Sequence, residues 1–211
     1  MEKIRKTLAD SKTARWTALA VVAFTMLCGY FLTDAMAPLK PMLEQQLSWS
    51  SEDYGLFTSA YGWFNVFLLM LIIGGIILDK MGVRFTGKMA TMLMVAGTAI
   101  KFWALSTNAF DGQTWHFLFW DASPQVFIAG LGYAVFGVGV ETAGITVSKI
   151  IVKWFKGKEL ALAMGLEMAT ARLGTGLALA GSAPLAKALG HVSMPILVAL
   201  ILLCIDRKSV V

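Results

Sequence analysis

The sequence predicts an all-α integral membrane protein with six transmembrane helices. Of its 211 residues, 57% are hydrophobic and 15% are charged, and the mean hydropathy is +0.70. Soluble domains carry about 25% charged residues, so this composition is typical of membrane proteins. Apolar runs near the roughly 20 residues needed to cross a bilayer recur along the chain. Such runs must be helical, because a helix satisfies its own backbone hydrogen bonds, and no stretch alternates like a barrel strand.

Six spans can be placed from the apolar runs and the polar segments between them. They are residues 16–38, 54–78, 86–107, 124–148, 160–184 and 191–205. The first run is longer than the roughly 7 to 15 apolar residues of a secretory signal, so we predict a retained span. The predicted organisation is a basic tail (1–15), a six-helix bundle (16–205) and a short stub (206–211).

Basic residues alternate from loop to loop. Of the 18 Lys and Arg, 14 lie in the tail, the second and fourth loops and the stub, and only Lys40 and Lys187 lie in the opposing loops. This asymmetry predicts that both ends are cytoplasmic. It also accounts for the net charge of +5 without nucleic acid, since no basic face carries interleaved aromatics. We expect a multi-pass protein of a bacterial cytoplasmic (inner) membrane.

Sequence motifs of membrane enzymes and ATP-driven pumps are missing. The chain has no GxxxxGK[ST], HExxH, CxxC or nucleophile elbow. Cys28 and Cys204 fall inside apolar runs, where cysteine packs as a small hydrophobe. We therefore expect no enzyme activity, no catalytic residue, no metal site and no cofactor. Transport without chemistry is the default function.

Five ionisable residues fall inside the predicted spans: Asp34, Lys101, Glu141, Glu167 and Arg172. A charged side chain at the bilayer centre costs about 2.5 to 3.5 kcal/mol, so such residues usually face a bundle interior. Lys101 is close to the outer interface, and we expect it to snorkel there. Asp34 lies near the outer end of the first span, where a gate contact and helix-end capping are both open.

Glu141 and Arg172 are predicted to face inward. Steps of three and four residues around Glu141 give a stripe of small and polar residues: Gly130, Tyr133, Gly137, Gly144 and Ser148. Arg172 shares its face with Gly165, Met168 and Thr175 or Gly176, whereas Glu167 lies about 140° round the helix. Counted from the loop that joins the two helices, Arg172 lies roughly 6 Å deeper in the membrane than Glu141.

Two arrangements of this charge pair stay open. The side chains are long enough for a direct salt bridge that locks two helices together. They also suit a small zwitterion whose ammonium meets Glu141 and whose carboxylate meets Arg172, since a guanidinium donates two parallel hydrogen bonds. Tyr30 on the first span, with Tyr61 and Asn65 on the second, are further candidates for the cavity lining.

The segment GGIILDKMGVR, residues 74–84, closes the second span. It resembles the GxxxD[RK]xG[RK][RK] signature of the major facilitator superfamily, with matches at Gly75, Asp79, Lys80, Gly82 and Arg84. The resemblance implies the N-terminal six-helix half of that fold and a gating role for these five residues. In that role the glycine allows close helix packing, and Asp79 and Arg84 form a breakable cytoplasmic latch.

Residues 153–176, KWFKGKELALAMGLEMATARLGTG, resemble the subgroup that contains the animal lysosomal dipeptide uniporter and its bacterial relatives. In that subgroup a fourth-span Glu and a fifth-span Arg hold the two peptide termini, which implies these roles for Glu141 and Arg172. Tyr133 stands where the fourth-span RxxxGxG pattern of the superfamily has arginine. LGTGLALAGSAP does not reproduce the fifth-span GxxxGPxxGG pattern of antiporters, so a drug/proton antiporter is disfavoured.

The resemblance implies a secondary transporter of small zwitterions, above all dipeptides, that works by alternating access between two six-helix halves. Because the chain ends after the sixth span, we expect a truncated product or fragment. The expected partners are the substrate, the lipid bilayer and the missing C-terminal half. Two alternatives are an organic-anion transporter, with Glu141 as the charge partner of Arg172, and a six-span membrane subunit that transports nothing.

Overall fold

The computed structural model describes residues 11–107, 109, 113–117 and 120–210 as a helical bundle. Its helices are α1 (Lys12–Asp34), α2 (Lys40–Leu47), α3 (Ser51–Phe67), α4 (Met70–Ser106), α5 (Pro124–Phe155), α6 (Leu160–Leu189) and α7 (Met194–Val210). A 3₁₀ turn (Ala37–Leu39) joins α1 to α2, and an antiparallel hairpin of β1 (Trp115–Phe117) and β2 (Trp120–Ala122) precedes α5. Residues 1–10 of the predicted tail and residue 211 of the stub lie outside the described residues.

Helix ends follow local capping signals. Ser11 accepts a hydrogen bond from the amide of Ala14 at 3.4 Å, so α1 begins before the predicted start at residue 16. Ser50 and Asp53 form a reciprocal capping box at the start of α3. Ser123 caps α5, whose first residue is Pro124, a residue suited to the first helical turn. Three of the predicted spans therefore start close to a capping serine.

The second and third predicted spans are divided differently in the structure. α3 ends at Phe67, and α4 begins after Leu69, a residue with φ 51°. α4 then runs through the end of the second predicted span and all of the third, interrupted only at Gly82, where φ is 78°. Glycine tolerates this left-handed conformation because it has no Cβ. The chain therefore turns at Gly82, within the loop that the sequence placed between two spans.

Three described stretches are long and apolar enough to cross a membrane: Lys12–Leu47, Met70–Ser106 and Pro124–Phe155. α6 and α7 make a fourth if they are taken as one span with a bend of 111°. These stretches confirm a helical, multi-pass membrane fold. The count of six spans stays a prediction.

α5 is the central helix of the bundle. Inside the bundle, 67% of its apolar segment is buried, against 44% for the segments of α1 and α4. α5 packs along α4 and α3 and also contacts α1 and α6, while α1 packs chiefly on α6. Side chains of α5 can therefore meet those of α1, α3, α4 and α6, so a site shared by these helices would include residues of α5.

Glycines set how closely α4 and α5 approach. A methyl group on Gly132 would lie 2.7 Å from the amide nitrogen of Lys101 and 2.8 Å from the carbonyl oxygen of Gly97. Likewise, a methyl group on Gly139 would lie 2.6 Å from the amide nitrogen of Met94. Backbone atoms cannot yield as a flexible side chain can. Contact between small residues of this kind drives helix association where lipid removes the hydrophobic driving force.

We expect Gly132→Ala to destabilise the bundle, although alanine is the better helix former. Overlap with the α4 backbone should cost about 1 to 3 kcal/mol and exceed the gain of about 1 kcal/mol from helix propensity. Gly176→Ala on α6 is the matched control, because nothing lies within 4 Å of its added methyl group. Unfolding of each variant in SDS-containing mixed micelles measures the difference. Equal stability of the two variants would contradict the close approach.

Candidate functional site

A polar cavity of about 290 Å³ lies between α1, α3, α5 and α6. It is lined by Met26, Tyr30, Thr33, Asp34, Tyr61, Val140, Glu141, Gly144 and Arg172. Four of the five predicted substrate ligands, Tyr30, Tyr61, Glu141 and Arg172, are among them. The fifth, Asn65, is not. Four separate segments of sequence therefore meet at one polar hollow.

The hollows of similar or larger volume in the described part of the chain offer less to a ligand. One of about 270 Å³ between α1, α6 and α7 is lined by apolar side chains such as Phe31 and Leu177. One of about 520 Å³ beside the hairpin is lined by Trp63, Thr114, Trp115, His116 and Phe127. There the Nδ1 atom of His116 lies within hydrogen-bonding distance of the Asp121 carboxylate, so the imidazole already has a partner. The cavity between α1, α3, α5 and α6 combines both signs of charge, and it is the candidate site.

Small residues bring Tyr61 and Glu141 together. A methyl group on Gly137 of α5 would collide with the carbonyl oxygen of Tyr61 on α3, so the two helices touch at this level. Glu141 lies one turn further along α5. From there its carboxylate oxygen Oε1 accepts a hydrogen bond of 2.6 Å from the hydroxyl of Tyr61. This contact orients the half-buried carboxylate.

An aromatic ladder holds Tyr61 in turn. Its ring packs at 5.3 Å from that of Tyr133, which stacks on Phe57 at 4.9 Å with 10° between the ring planes. Aromatic pairs at such distances contribute about 0.5 to 1.5 kcal/mol beyond the area they bury. The Tyr61 hydroxyl, which donates to Glu141, is therefore held in place by ring packing between α3 and α5.

Arg172 is held by α1. Its guanidinium carbon lies 5.4 Å from the ring centroid of Tyr30, within the range of a cation–π contact. One turn further along α6, the hydroxyl of Thr175 donates to the carboxylate of Asp34 at 2.7 Å. These two contacts join α1 to α6 along the cavity wall. Asp34, for which gate contact and helix capping were both open, is a wall residue paired with Thr175.

No ion pair within 4.0 Å joins Glu141 and Arg172, both of which the structure describes. The direct salt bridge considered from the sequence is thus not formed in this conformation. Each charge has its own tyrosine instead, and Arg172 is exposed. The two opposite charges are presented to the cavity rather than to each other.

The described residues include no group of three or more His, Cys, Asp or Glu able to hold a metal ion.

Asn65 lies one turn from Tyr61 on α3 but outside the cavity lining. Its side-chain oxygen and nitrogen are both buried and have no hydrogen-bond partner. A buried amide without partners costs about 1 to 3 kcal/mol. The role of Asn65 as a substrate ligand stays a prediction.

Lys101 does not snorkel, so the sequence prediction was wrong. Its side chain is fully buried. The ammonium lies 3.3 Å from the carbonyl oxygen of Leu32 on α1, and 4.6 and 5.3 Å from the ring centroids of Tyr133 and Phe136 on α5. The close approach of α4 and α5 at Gly132 encloses the side chain before it can reach the interface. Glu167, predicted to point away from the cavity, is not among its lining residues.

The signature motif at residues 75–84 makes a different contact from the expected one. Asp79 pairs with Lys149 of α5 at 2.7 Å, and not with Arg84. The chain turns at Gly82, and Arg84 lies beyond it, beside a small hollow of about 90 Å³. Sequence reasoning missed Lys149, although its basic loop was recognised.

The glycine that packs against a neighbouring helix is Gly74 and not Gly75, the motif position. Gly74 is buried, and an added methyl group there would lie 3.0 Å from the hydroxyl oxygen of Thr142 on α5. Gly75, the motif position, has nothing within 4 Å. Lys80 is exposed. The gating role of the motif stays a prediction.

The chain matches a known protein family. A family model described as the Major Facilitator Superfamily matches residues 11–205. This match covers most of the chain, which therefore belongs to that superfamily of transporters.

The similar proteins are named as transporters of different solutes. The chain is 28% identical over 162 residues to the lysosomal dipeptide transporter MFSD1 of Mus musculus, covering 76% of this chain and 31% of that protein. It is 26% identical over 159 residues to the galacturonate transporter of Dickeya chrysanthemi, covering 73% and 39%. It is 30% identical over 166 residues to probable anion transporter 2, chloroplastic, of Oryza sativa subsp. japonica, covering 79% and 28%. The chain thus spans about a third of the length of the relatives it matches.

We expect the Asp79–Lys149 pair to contribute little stability. Its side chains are 80% and 42% exposed, and exposed pairs typically contribute about 0.2 to 1 kcal/mol. A double-mutant cycle of Asp79→Asn and Lys149→Gln, read from SDS unfolding, should give a coupling energy below about 1 kcal/mol. A coupling several times larger would show that the pair is a structural clamp and not a breakable contact.

Proposed function

We propose that the cavity binds a small zwitterion, most simply a dipeptide, with its ammonium at Glu141 and its carboxylate at Arg172. The observation that carries this proposal is the pair of opposite charges that face one cavity from α5 and α6 without pairing with each other. The cavity volume of about 290 Å³ lies at the lower end of the range of about 300 to 1,000 Å³ found for ligand pockets. A small solute fits that volume.

Both charges are preorganised for a ligand. Tyr61 orients the Glu141 carboxylate through a hydrogen bond, and Tyr30 supports the Arg172 guanidinium through its ring face. No salt bridge between the two has to break before a ligand enters. Preorganisation raises affinity because less conformational freedom is lost on binding. The guanidinium fork also matches a carboxylate better than an ammonium would.

The chain then acts as one half of a secondary transporter that works by alternating access. The family match and the similarity to proteins named as dipeptide transporters support this class. A second six-helix half would complete the cavity on the side where Arg172 is exposed. The basic loops support an orientation with both ends in the cytoplasm, and we propose a bacterial inner membrane as the location. The weakly held Asp79–Lys149 pair would open and close at the cytoplasmic side.

An organic anion is the second candidate substrate. Two relatives named as galacturonate and anion transporters favour it. In that case Glu141 should neutralise Arg172 until the anion arrives, yet the two are not paired. The cavity also contains two carboxylates, Asp34 and Glu141, against one guanidinium. This charge balance favours a ligand with an ammonium group.

The test uses the purified 211-residue chain in lipid nanodiscs and measures binding of alanyl-alanine, N-acetyl-alanyl-alanine and alanyl-alanine amide. Acetylation removes the ammonium, so it should weaken binding about tenfold or more in the unmodified chain and very little in Glu141→Gln. Amidation removes the carboxylate, so it should weaken binding about tenfold or more in the unmodified chain and very little in Arg172→Gln.

Glu167→Gln is the matched control, since Glu167 is a membrane glutamate outside the cavity. It should bind all three compounds as the unmodified chain does. Equal loss from acetylation in the unmodified chain and in Glu141→Gln would refute the assignment of the ammonium. Tighter binding of galacturonate than of alanyl-alanine, abolished in Arg172→Gln, would establish the anion alternative. Uptake of alanyl-alanine into cells that express a full-length relative with the matching substitutions then checks transport.

A further inference from the structure

α1 ends at Asp34, and the chain passes through a 3₁₀ turn, Ala37–Leu39, before α2 begins at Lys40. Ala35, Met36 and Leu39, which follow its end, are at most 1% exposed. Backbone polar groups that protein encloses need hydrogen-bond partners within the protein. Pro38 has no amide hydrogen to offer. The last carbonyl groups of α1 therefore need donors from elsewhere.

Side chains of two other helices supply those donors. The ammonium of Lys101 on α4 donates to the carbonyl oxygen of Leu32 at 3.3 Å, and the hydroxyl of Tyr133 on α5 donates to that of Thr33 at 2.7 Å. In the described part of the chain, no backbone amide from beyond the helix donates to either oxygen. α1 is thus capped at its C-terminus by α4 and α5 together.

The cap is electrostatically suited to its place. A cation at a helix C-terminus interacts favourably with the helix dipole, and the ring faces of Tyr133 and Phe136 also attract the ammonium. However, no carboxylate lies within 4.0 Å of Lys101 among the residues described. Burial of an ammonium without a counter-ion is costly, and an apolar residue of similar shape is often equally stable or more stable. Stability alone does not explain a lysine here.

The capped end of α1 forms part of the cavity. Tyr30, which supports Arg172, and Asp34, which accepts from Thr175, both lie in its last turns. The capping residue Tyr133 also packs against Tyr61, the donor to Glu141. Tyr133 therefore contacts Tyr61, the support of Glu141, through its ring, and through its hydroxyl it contacts the end of the helix that carries Tyr30, the support of Arg172.

We propose that Lys101 and Tyr133 are positioning residues that cap the interrupted helix α1 and thereby hold Tyr30 and Asp34 at the cavity. They touch no substrate themselves. Without the caps the last turn of α1 frays, Tyr30 leaves the guanidinium, and the cavity loses its fixed wall. The proposal rests on the proposed function for its effect on ligand affinity but not for its effect on the helix end.

The experiment compares Lys101→Met and Tyr133→Phe with the unmodified chain in nanodiscs. Each change removes one donor and keeps the bulk of the side chain, and Tyr133→Phe keeps the ring stacking. Hydrogen exchange of peptides covering residues 28–40 should be about tenfold faster in both variants, as expected for the loss of one charge-assisted or buried hydrogen bond. Affinity for alanyl-alanine should fall about three- to tenfold, whereas the melting temperature of Lys101→Met should be unchanged or higher.

Lys187→Met is the matched control, because Lys187 is an exposed lysine near the end of α6. It should change none of the three readouts. Unchanged exchange over residues 28–40 in both variants overturns the cap. Faster exchange with unchanged affinity overturns the positioning role, and so does an affinity loss that only follows a fall in melting temperature. If the unmodified chain fails to bind alanyl-alanine, the proposed function fails, and the exchange measurement still decides whether Lys101 and Tyr133 cap α1.

Discussion

The rest of the bundle depends on the contact of α4 with α5 at small residues. At Gly97, Gly132 and Gly139 the two backbones approach so closely that a single methyl group would collide. Lipid tails offer apolar helices nearly the same environment as other helices do, so only such a fit selects one packing over another. The contact fixes the level of α5 relative to α4, and with it the height of every residue on the central helix.

The position of α5 decides what the other helices can reach. Tyr133 meets α1 and α3, and Glu141 meets Tyr61 across the bundle. α6 is placed mainly by α1, through a glycine at position 174 that lies against the backbone of Leu27. The negative and positive sides of the cavity are consequently set by different helix pairs. Their separation is a property of the whole bundle and not of one helix.

Steps of three and four residues predicted that Glu141 and Arg172 line one cavity, and both do. They did not predict the rest of the α6 face, because Met168 and Arg172 are exposed, whereas Glu167 is buried. The sequence also predicted the membrane class, because composition and the length of apolar runs are properties of the sequence alone. What it missed involves contacts between helices. Lys101 looked close enough to the interface to snorkel, but its enclosure depends on Gly97 and Gly132. The motif pairs Asp79 with Arg84, which is close in sequence. In the structure the chain turns at Gly82 between them, and Asp79 pairs with Lys149, which is 70 residues away.

Two contacts join α4 to α5, the glycine contact and the pair of Asp79 and Lys149, and they respond differently to dissolved salt. The glycine contact is made by backbone atoms in van der Waals contact, which dissolved ions do not reach. The pair of Asp79 and Lys149 is exposed, and charges in water are screened over about 8 Å at physiological ionic strength. Dissolved salt therefore weakens the end contact and leaves the middle of the helix pair unchanged. The bundle is rigid at its centre and adjustable at one rim by the ionic composition of the compartment that it faces.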